Sequence, residues 1–299
     1  MSEVLEDRIG TIIGQRYKIV STLGEGGMGA VYLAEDVTLG IRVALKLLKK
    51  DVANDPEVLA RFDREATAMT VLAHEHIVRA LGFGRSPEGD MCLVMELVPG
   101  ETLRAMLKRV KPFPARGVVD IAGQIAEALA CAHSFGVVHR DLKPENVIVS
   151  WPSPDKPWIK VLDFGMARLL LGAPGTPLTR KGAVFGTPEY MPPEQCMGQP
   201  VDTRADQYAL GVMVFEMLAG QRPFKAKSPL EMVQMQIRTP PPPLSELVPT
   251  LPPAAGEAVA KMLAKRAQDR FPDVLAASQA LSRALGFSAN PSAPRDFRV

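Results

Sequence analysis

Val138–Val149 reads VHRDLKPENVIV and sets an aspartate, a lysine and an asparagine at fixed offsets on one polar loop between apolar flanks. Asp141 can accept or orient a hydroxyl proton, and Lys143 can neutralise a transferring phosphoryl oxygen. Asn146 can offer a carboxamide oxygen to a divalent cation. Few short strings say so much about chemistry: this loop alone suggests phosphoryl transfer.

Downstream of the loop, Asn146 to Ser150 and Trp158 to Leu162 read as short strands. The stretch between them, WPSPDKP from Trp151 to Pro157, predicts a connection longer than the usual hairpin loop of about two to five residues, closed by stacking of the two tryptophans. Asp163-Phe164-Gly165 follows the second strand, so the hairpin brings Asp163 toward Asn146, and two oxygen ligands for a hard cation come together.

Upstream, Tyr17 to Leu23, Val31 to Glu35 and Ile41 to Leu48 alternate in polarity and predict an antiparallel meander. Gly24-Glu25-Gly26-Gly27-Met28-Gly29 lies between the first two. This G-x-G-x-x-G pattern also occurs in dinucleotide folds, where its last glycine opens a helix; here Ala30 to Leu33 continues as a strand, so the glycines cap a hairpin. Such a loop can fold over phosphates, because glycine lets backbone N–H groups approach without a Cβ in the way, or it can be a plain flexible turn. Alternation places Ala44 and Lys46 on one face of the third strand. The charge of Lys46 needs an anion, supplied by Glu65 on the following helix (about Pro56 to Leu72) or by nucleotide phosphates; two solvated surface charges are the bland alternative. Strands at Leu81 to Gly84 and Met91 to Leu97 complete a small β-rich lobe.

Past Pro99-Gly100 the texture turns helical, with periodic segments at Val118 to Phe135, Arg204 to Ala219, Leu230 to Arg238, Ala254 to Ala264 and Val274 to Leu285. TPPPPL, Thr239 to Leu244, reads as a stiff connector between two helices rather than a polyproline ligand. The expected organisation is α+β: an N-terminal segment 1–16, a β-rich lobe 17–98, a mainly helical lobe 99–287, and a tail or linker start at 288–299, SANPSAPRDFRV.

The 299 residues are 46% hydrophobic and 23% charged, which argues for packed globular structure. A formal charge of +2, spread over 35 basic and 33 acidic residues, gives no excess for nucleic acid or anionic membrane to attract. Cys92, Cys131 and Cys196 form no CxxC pair and read as free thiols of a reducing compartment. Acidic Glu3, Glu6 and Asp7 sit where a signal peptide would be basic, and Glu216 interrupts the strongest apolar stretch, Tyr208 to Gly220. A soluble, cytoplasmic chain without a membrane span is expected. His74 and His76 lack a nearby ligand cluster, and His139 is expected to pack and hydrogen-bond under its loop.

Taken in order, the glycine loop, Val43-Ala44-Leu45-Lys46, Glu65, His139-Arg140-Asp141 with Asn146, Asp163-Phe164-Gly165 and Pro192-Pro193-Glu194 match the protein-kinase signature set. The chain resembles a eukaryotic-type (Hanks-type) serine/threonine protein kinase, and GEGGMGAVY, HRDLKPENVIV and GTPEYMPPEQ look most like the bacterial branch, over roughly Tyr17 to Phe287. The resemblance implies a bilobal fold with ATP in the cleft. It assigns Lys46, held by Glu65, to the α- and β-phosphates under Gly24, Gly26 and Gly29. Asn146 and Asp163 would hold Mg²⁺, with Mn²⁺ as an alternative; Asp141 would orient the acceptor hydroxyl and Lys143 would meet the γ-phosphate. Adenine would lie between Leu23, Val31 and Ala44 on one side and Ile148 on the other, with Met95 as gatekeeper and Glu96 to Val98 as hinge. Asp206 resembles the buried aspartate that braces the catalytic loop, and Glu194 with Arg270 the structural ion pair of the helical lobe.

The partners implied are proteins with Ser or Thr acceptors, and a second copy docked through the small lobe. The competing reading is a pseudokinase scaffold, whose mark would be a lost Lys46, Asp141, Asn146 or Asp163; none is lost. Small-molecule phosphotransferases would not be expected to carry Gly186-Thr187-Pro188 or Pro192-Pro193-Glu194. Arg140 marks the subtype whose loop pairs with a phosphorylated activation segment. Yet LTRKGAVF, Leu178 to Phe185, has no threonine just before Gly186, so Thr179 or Thr176 is the expected autophosphorylation site and dependence on it should be weaker than usual. Pro192 replaces the family's usual alanine and should change the backbone only locally. Cys196 is expected to pack rather than react.

Overall fold

A computed structural model describes residues 8–26, 29–48, 72–87, 89–153, 156–164, 179–180, 183–184 and 188–287. The chain forms two compact units, Met1–Pro99 and Gly100–Val299.

The first unit is built on a six-stranded antiparallel sheet: β1 (Ile12–Ile13), β2 (Tyr17–Gly26), β3 (Gly29–Asp36), β4 (Ile41–Leu48), β5 (Ala80–Arg85) and β6 (Met91–Glu96), in the order β1-β2-β3-β4-β6-β5. Alternation explains it. Ala30, Tyr32 and Ala34 of β3 stand opposite Leu47, Leu45 and Val43 of β4, and all six join Ile13, Ile19, Cys92 and Val94 in one buried cluster. The β3–β4 turn is held by Asp36, whose carboxylate accepts the main-chain N–H of Thr38 at 3.0 Å and of Leu39 at 3.2 Å, while Gly40 takes φ +66°. The helix expected at 56–72 lies, through residue 71 and with it Glu65, outside the described residues, and Leu72 itself is buried and not helical.

In the second unit, β7 (Glu101–Thr102), β8 (Val147–Ser153) and β9 (Lys156–Val161) form a sheet in that order. Among the described residues the helices are α1 (Leu103–Arg109), α2 (Ala115–Ser134), α3 (Pro193–Cys196), α4 (Arg204–Ala219), α5 (Pro229–Arg238), α6 (Leu244–Leu247), α7 (Pro253–Met262) and α8 (Val274–Ala284). Caps mark several starts: Thr102 accepts from Ala105, Ser228 from Glu231 and Asp273 from Ala276. α4 is buried on every side from Ala205 to Leu218, and its sequence is apolar round the helix but for Asp206, Gln207 and Glu216. A Cβ on Gly211 would come within 2.9 Å of Met262 Cβ, so α4 and α7 pack closely there. Pro240 to Pro243 run without regular structure between α5 and α6, as a connector.

The β8–β9 hairpin corrects one expectation. The strands run on through Trp151 and Pro157, and Ser153 pairs with Lys156, so the connection is the two residues between them rather than a long loop. A register shift between Ser150 and Ser153 absorbs the extra residues, and Pro152 sits in that irregular stretch where no ladder bond is required of it. Thr179–Arg180 pairs with Ala183–Val184 as a two-residue hairpin, β10 with β11.

Candidate active site

The chemistry-bearing loop is closed by its own side chains. Pro144 starts a single 3₁₀ turn, Pro144–Asn146, which folds Asn146 back onto Asp141. Asn146 Nδ2 donates to the Asp141 carbonyl at 2.8 Å, and Lys143 Nζ donates to Asp141 Oδ2 at 2.6 Å. Asp141, Lys143 and Asn146 thus come together. With the carboxamide nitrogen turned onto Asp141, the oxygen is the ligand atom Asn146 has to give. The Asn146 carbonyl accepts the Leu162 N–H at 2.9 Å, continuing the Val147–Val161 pairing, and the next residue, Asp163, turns out of the strand with φ +58°. Asn146 and Asp163 therefore flank the same strand end. Their hard oxygen donors suit Mg²⁺ or Mn²⁺.

Beneath the loop lies fully buried His139. Its Nδ1 accepts the Asp141 N–H at 3.3 Å, which leaves Nε2–H to donate to the Leu162 carbonyl at 2.8 Å, and its ring packs 4.8 Å from Phe164. Asp206 of α4 holds the loop's backbone: Oδ2 accepts from His139 N and from His133 Nε2, and Oδ1 accepts from Arg140 N, all within 2.9 Å. Burial would push the Asp206 carboxyl up, but the His133 partner and the loop N–H groups outweigh it and hold it below the usual range. Arg140 takes φ +66°, a conformation that side chains rarely adopt, and its carbonyl is held by Gln195 Nε2 at 3.1 Å.

Glu194 and Arg270 form a buried two-pronged ion pair at 2.7 and 2.8 Å, and Arg270 also donates to the carbonyls of Ala264 and Arg204. Pro192 stands as the extended residue before α3, so the pair forms with proline in that place. Burial pushes the Cys196 thiol up to about 12, reinforced by Glu194, as expected of a packing residue.

Sequence reasoning missed Arg104. From α1 it donates to Glu145 in the 3₁₀ turn and to Glu216 of α4, each at 2.7 Å, and to the Tyr190 hydroxyl, which in turn donates to Glu216. No motif contains Arg104; the sole hint was a glutamate, Glu216, inside an apolar helix, which implies a buried cation near it. Burial pushes the Tyr190 hydroxyl well above its ordinary value.

In the first unit, Val31 stands opposite Lys46 and Ala44 opposite Met95, so these residues line the sheet face away from the apolar cluster. Lys46 is 7% exposed and Leu23 is exposed. Gly24 pairs with Val31 and Gly26 with Gly29; a Cβ on Gly29 would fall 1.9 Å from the Leu47 carbonyl, so only glycine allows that approach. Glu96 accepts the Arg79 N–H at 2.8 Å, and Val98 follows on the partly buried stretch after β6. Ile148 lies in β8 of the second unit, opposite Thr102 and Lys160. Glu65, Gly165, Thr176 and Thr187 lie outside the described residues. Among the described residues, no group of three or more His, Cys, Asp or Glu side chains is arranged for a metal, and no helix is long and apolar enough to cross a membrane.

A family model for the protein kinase domain matches residues 17–284. The serine/threonine-protein kinase Pkn1 of Myxococcus xanthus is 41% identical over 278 residues, 93% of this chain and 39% of that protein. PknA of Mycobacterium tuberculosis is 38% identical over 271 residues, 89% of this chain and 61% of its own. The chain thus spans less than two thirds of these relatives. Its fold matches the crystal structure of the Mycobacterium tuberculosis PknI kinase domain with a TM-score of 0.72 and 29% identity, covering 93% of this chain and 98% of that one. Site geometry aside, a match over this length settles the lineage: the chain belongs to the protein kinase family, in its bacterial Hanks-type serine/threonine branch.

Proposed function

We propose that this chain transfers the γ-phosphoryl group of ATP to serine or threonine hydroxyls of protein substrates, and to its own Thr179 or Thr176. The observation that carries the reading is the hydrogen-bonded set Asp141, Lys143 and Asn146, closed beside the strand end that bears Asp163. Asp141 orients the acceptor hydroxyl and takes its proton as the oxygen–phosphorus bond forms and the bond to the β-phosphate oxygen breaks, releasing ADP. Lys143, already held on Asp141, meets a γ-phosphoryl oxygen. Lys46 steadies the α- and β-phosphates, with Glu65 as its partner, while the Gly24–Gly29 turn lays backbone N–H groups along them. Leu23, Val31 and Ala44 offer the adenine an apolar face, as does Ile148, Met95 limits the space beside it, and Glu96 to Val98 offer main-chain partners to its edge. Asn146 and Asp163 hold the divalent cation, Mg²⁺ ahead of Mn²⁺, which when bound neutralises charge on the transferring phosphates.

Radiolabel transfer from ATP to a general acceptor protein by wild type and Asp141→Asn tests the reading. The variant should be slower by about 10²–10⁴, the range of a lost general base; equal, background-level transfer by both would overturn it. Phosphosite mapping after incubation with Mg-ATP should find Thr179 or Thr176 modified. Self-association through the β-rich unit is part of the same proposal; sedimentation of that unit's surface variants checks it.

A further inference from the structure

One buried polar side chain does no work in the roles above. Gln236, in the last turn of α5, is wholly inaccessible to solvent. Its amide nitrogen donates to the carbonyls of Pro188 at 3.0 Å and Glu189 at 2.7 Å, and its oxygen accepts the Tyr208 hydroxyl at 2.6 Å. Lys265 donates to the main-chain carbonyl of Gln236 at 2.8 Å and to the Tyr208 hydroxyl at 3.2 Å, with its ammonium over the rings of Phe224 and Tyr208. Burying a carboxamide is costly unless its polar atoms are matched, and here all three bonds are made.

Pro188–Tyr190 is a single 3₁₀ turn lying between Gly186-Thr187 and Pro192-Pro193-Glu194. Other contacts hold its side chains: Arg222 pairs with Glu189 at 2.7 Å, and Tyr190 engages Glu216 and Arg104. Gln236 holds its backbone. Because a trans peptide points its C=O and N–H in opposite directions, fixing both carbonyls on Gln236 turns the N–H groups of Glu189 and Tyr190 the other way.

We propose that Gln236 is a positioning residue for the acceptor peptide: it fixes the main-chain orientation of the Pro188–Tyr190 turn, and through it the platform on which the substrate backbone lies. The inference rests on the protein-kinase reading and names a residue that sets acceptor affinity without touching nucleotide. Gln236→Glu keeps size and the acceptor for Tyr208 but removes both N–H donors; Gln236→His restores one donor; Tyr208→Phe removes the hydroxyl that orients the amide.

The measurement is steady-state kinetics with one threonine peptide chosen from a degenerate pool, varying peptide and ATP separately, alongside thermal unfolding. Gln236→Glu should raise the KM for peptide by about tenfold, the scale of two lost hydrogen bonds, with the KM for ATP within about twofold. Gln236→His should fall between it and wild type, and Tyr208→Phe should shift the same parameter in the same direction. An unchanged peptide KM in Gln236→Glu overturns the inference while leaving the kinase reading intact. So does a parallel change in both KM values with a lowered Tm, which marks a structural role. Should Gln236→Glu fail to fold, the His and Phe variants decide the matter on the same criterion. Absence of transfer by the wild type strikes the kinase reading itself.

Discussion

The two units fix their candidate site residues by opposite means. In the first, Lys46, Ala44, Val31 and Met95 are placed by strand register, and ten buried side chains on the other face of the sheet share the task of holding it. In the second, one buried helix does most of the holding with polar groups. Within α4, Asp206 grips the loop at His139 and Arg140, Gln207 grips Phe271 and Asp273, Tyr208 meets Gln236, and Glu216 meets Arg104 and Tyr190. A ladder spreads a local loss over many neighbours; a buried carboxylate concentrates it, because its partners are left buried and unpaired.

Asp206→Ala should break the comparison most sharply. It strands two loop N–H groups and His133, at a cost of about 3–5 kcal/mol in urea unfolding, with transfer lost even in the folded fraction. The same carboxylate gives a pH signature. Its folded pKa lies below that of an ordinary aspartate, so its stabilisation is complete above the ordinary value and lost as pH falls through the folded one. Wild type should therefore lose its stability margin over Asp206→Asn progressively in acid below about pH 4. Next in size is Gly29→Ala, whose methyl group would collide with the Leu47 carbonyl and push β3 from β4 at the glycine turn. About 1–3 kcal/mol of stability should be lost, and the KM for ATP should rise more than that for peptide. Smallest is Arg16→Ala, which removes a partner 2.7 Å from Asp36 at the edge of the sheet. Asp36 keeps the N–H groups of Thr38 and Leu39, so the thermal melt should scarcely move; a clear drop in Tm would mean the first unit also depends on single charges.

What could be read in advance follows the range of the forces involved. Ile41–Leu48 and Arg204–Ala219 were legible to the residue, because alternation and helical periodicity carry their own ends: a turn glycine for one, Gly220 at φ +67° for the other. The triplet Asp141, Lys143 and Asn146 was legible because the contacts span at most five residues. Arg104 and Gln236 were not, since their partners lie from 28 to 112 positions away and no local pattern encodes such a meeting. β1 and β7 exist only by pairing with longer strands. The β8–β9 hairpin was misread because Pro152 and Pro157 suggested loop, where a register shift lets the strands continue.

The three thiols share a chemical silence. Burial raises all of them, Cys92 and Cys131 within their cores and Cys196 to about 12. At neutral pH Cys196 is therefore held as thiol, whereas the thiolate is the form that reacts with maleimides. A single cysteine introduced at an exposed site, such as Thr38→Cys, should therefore take a fluorophore alone on the native background. Dye placement on the protein's surface then requires no prior removal of cysteines.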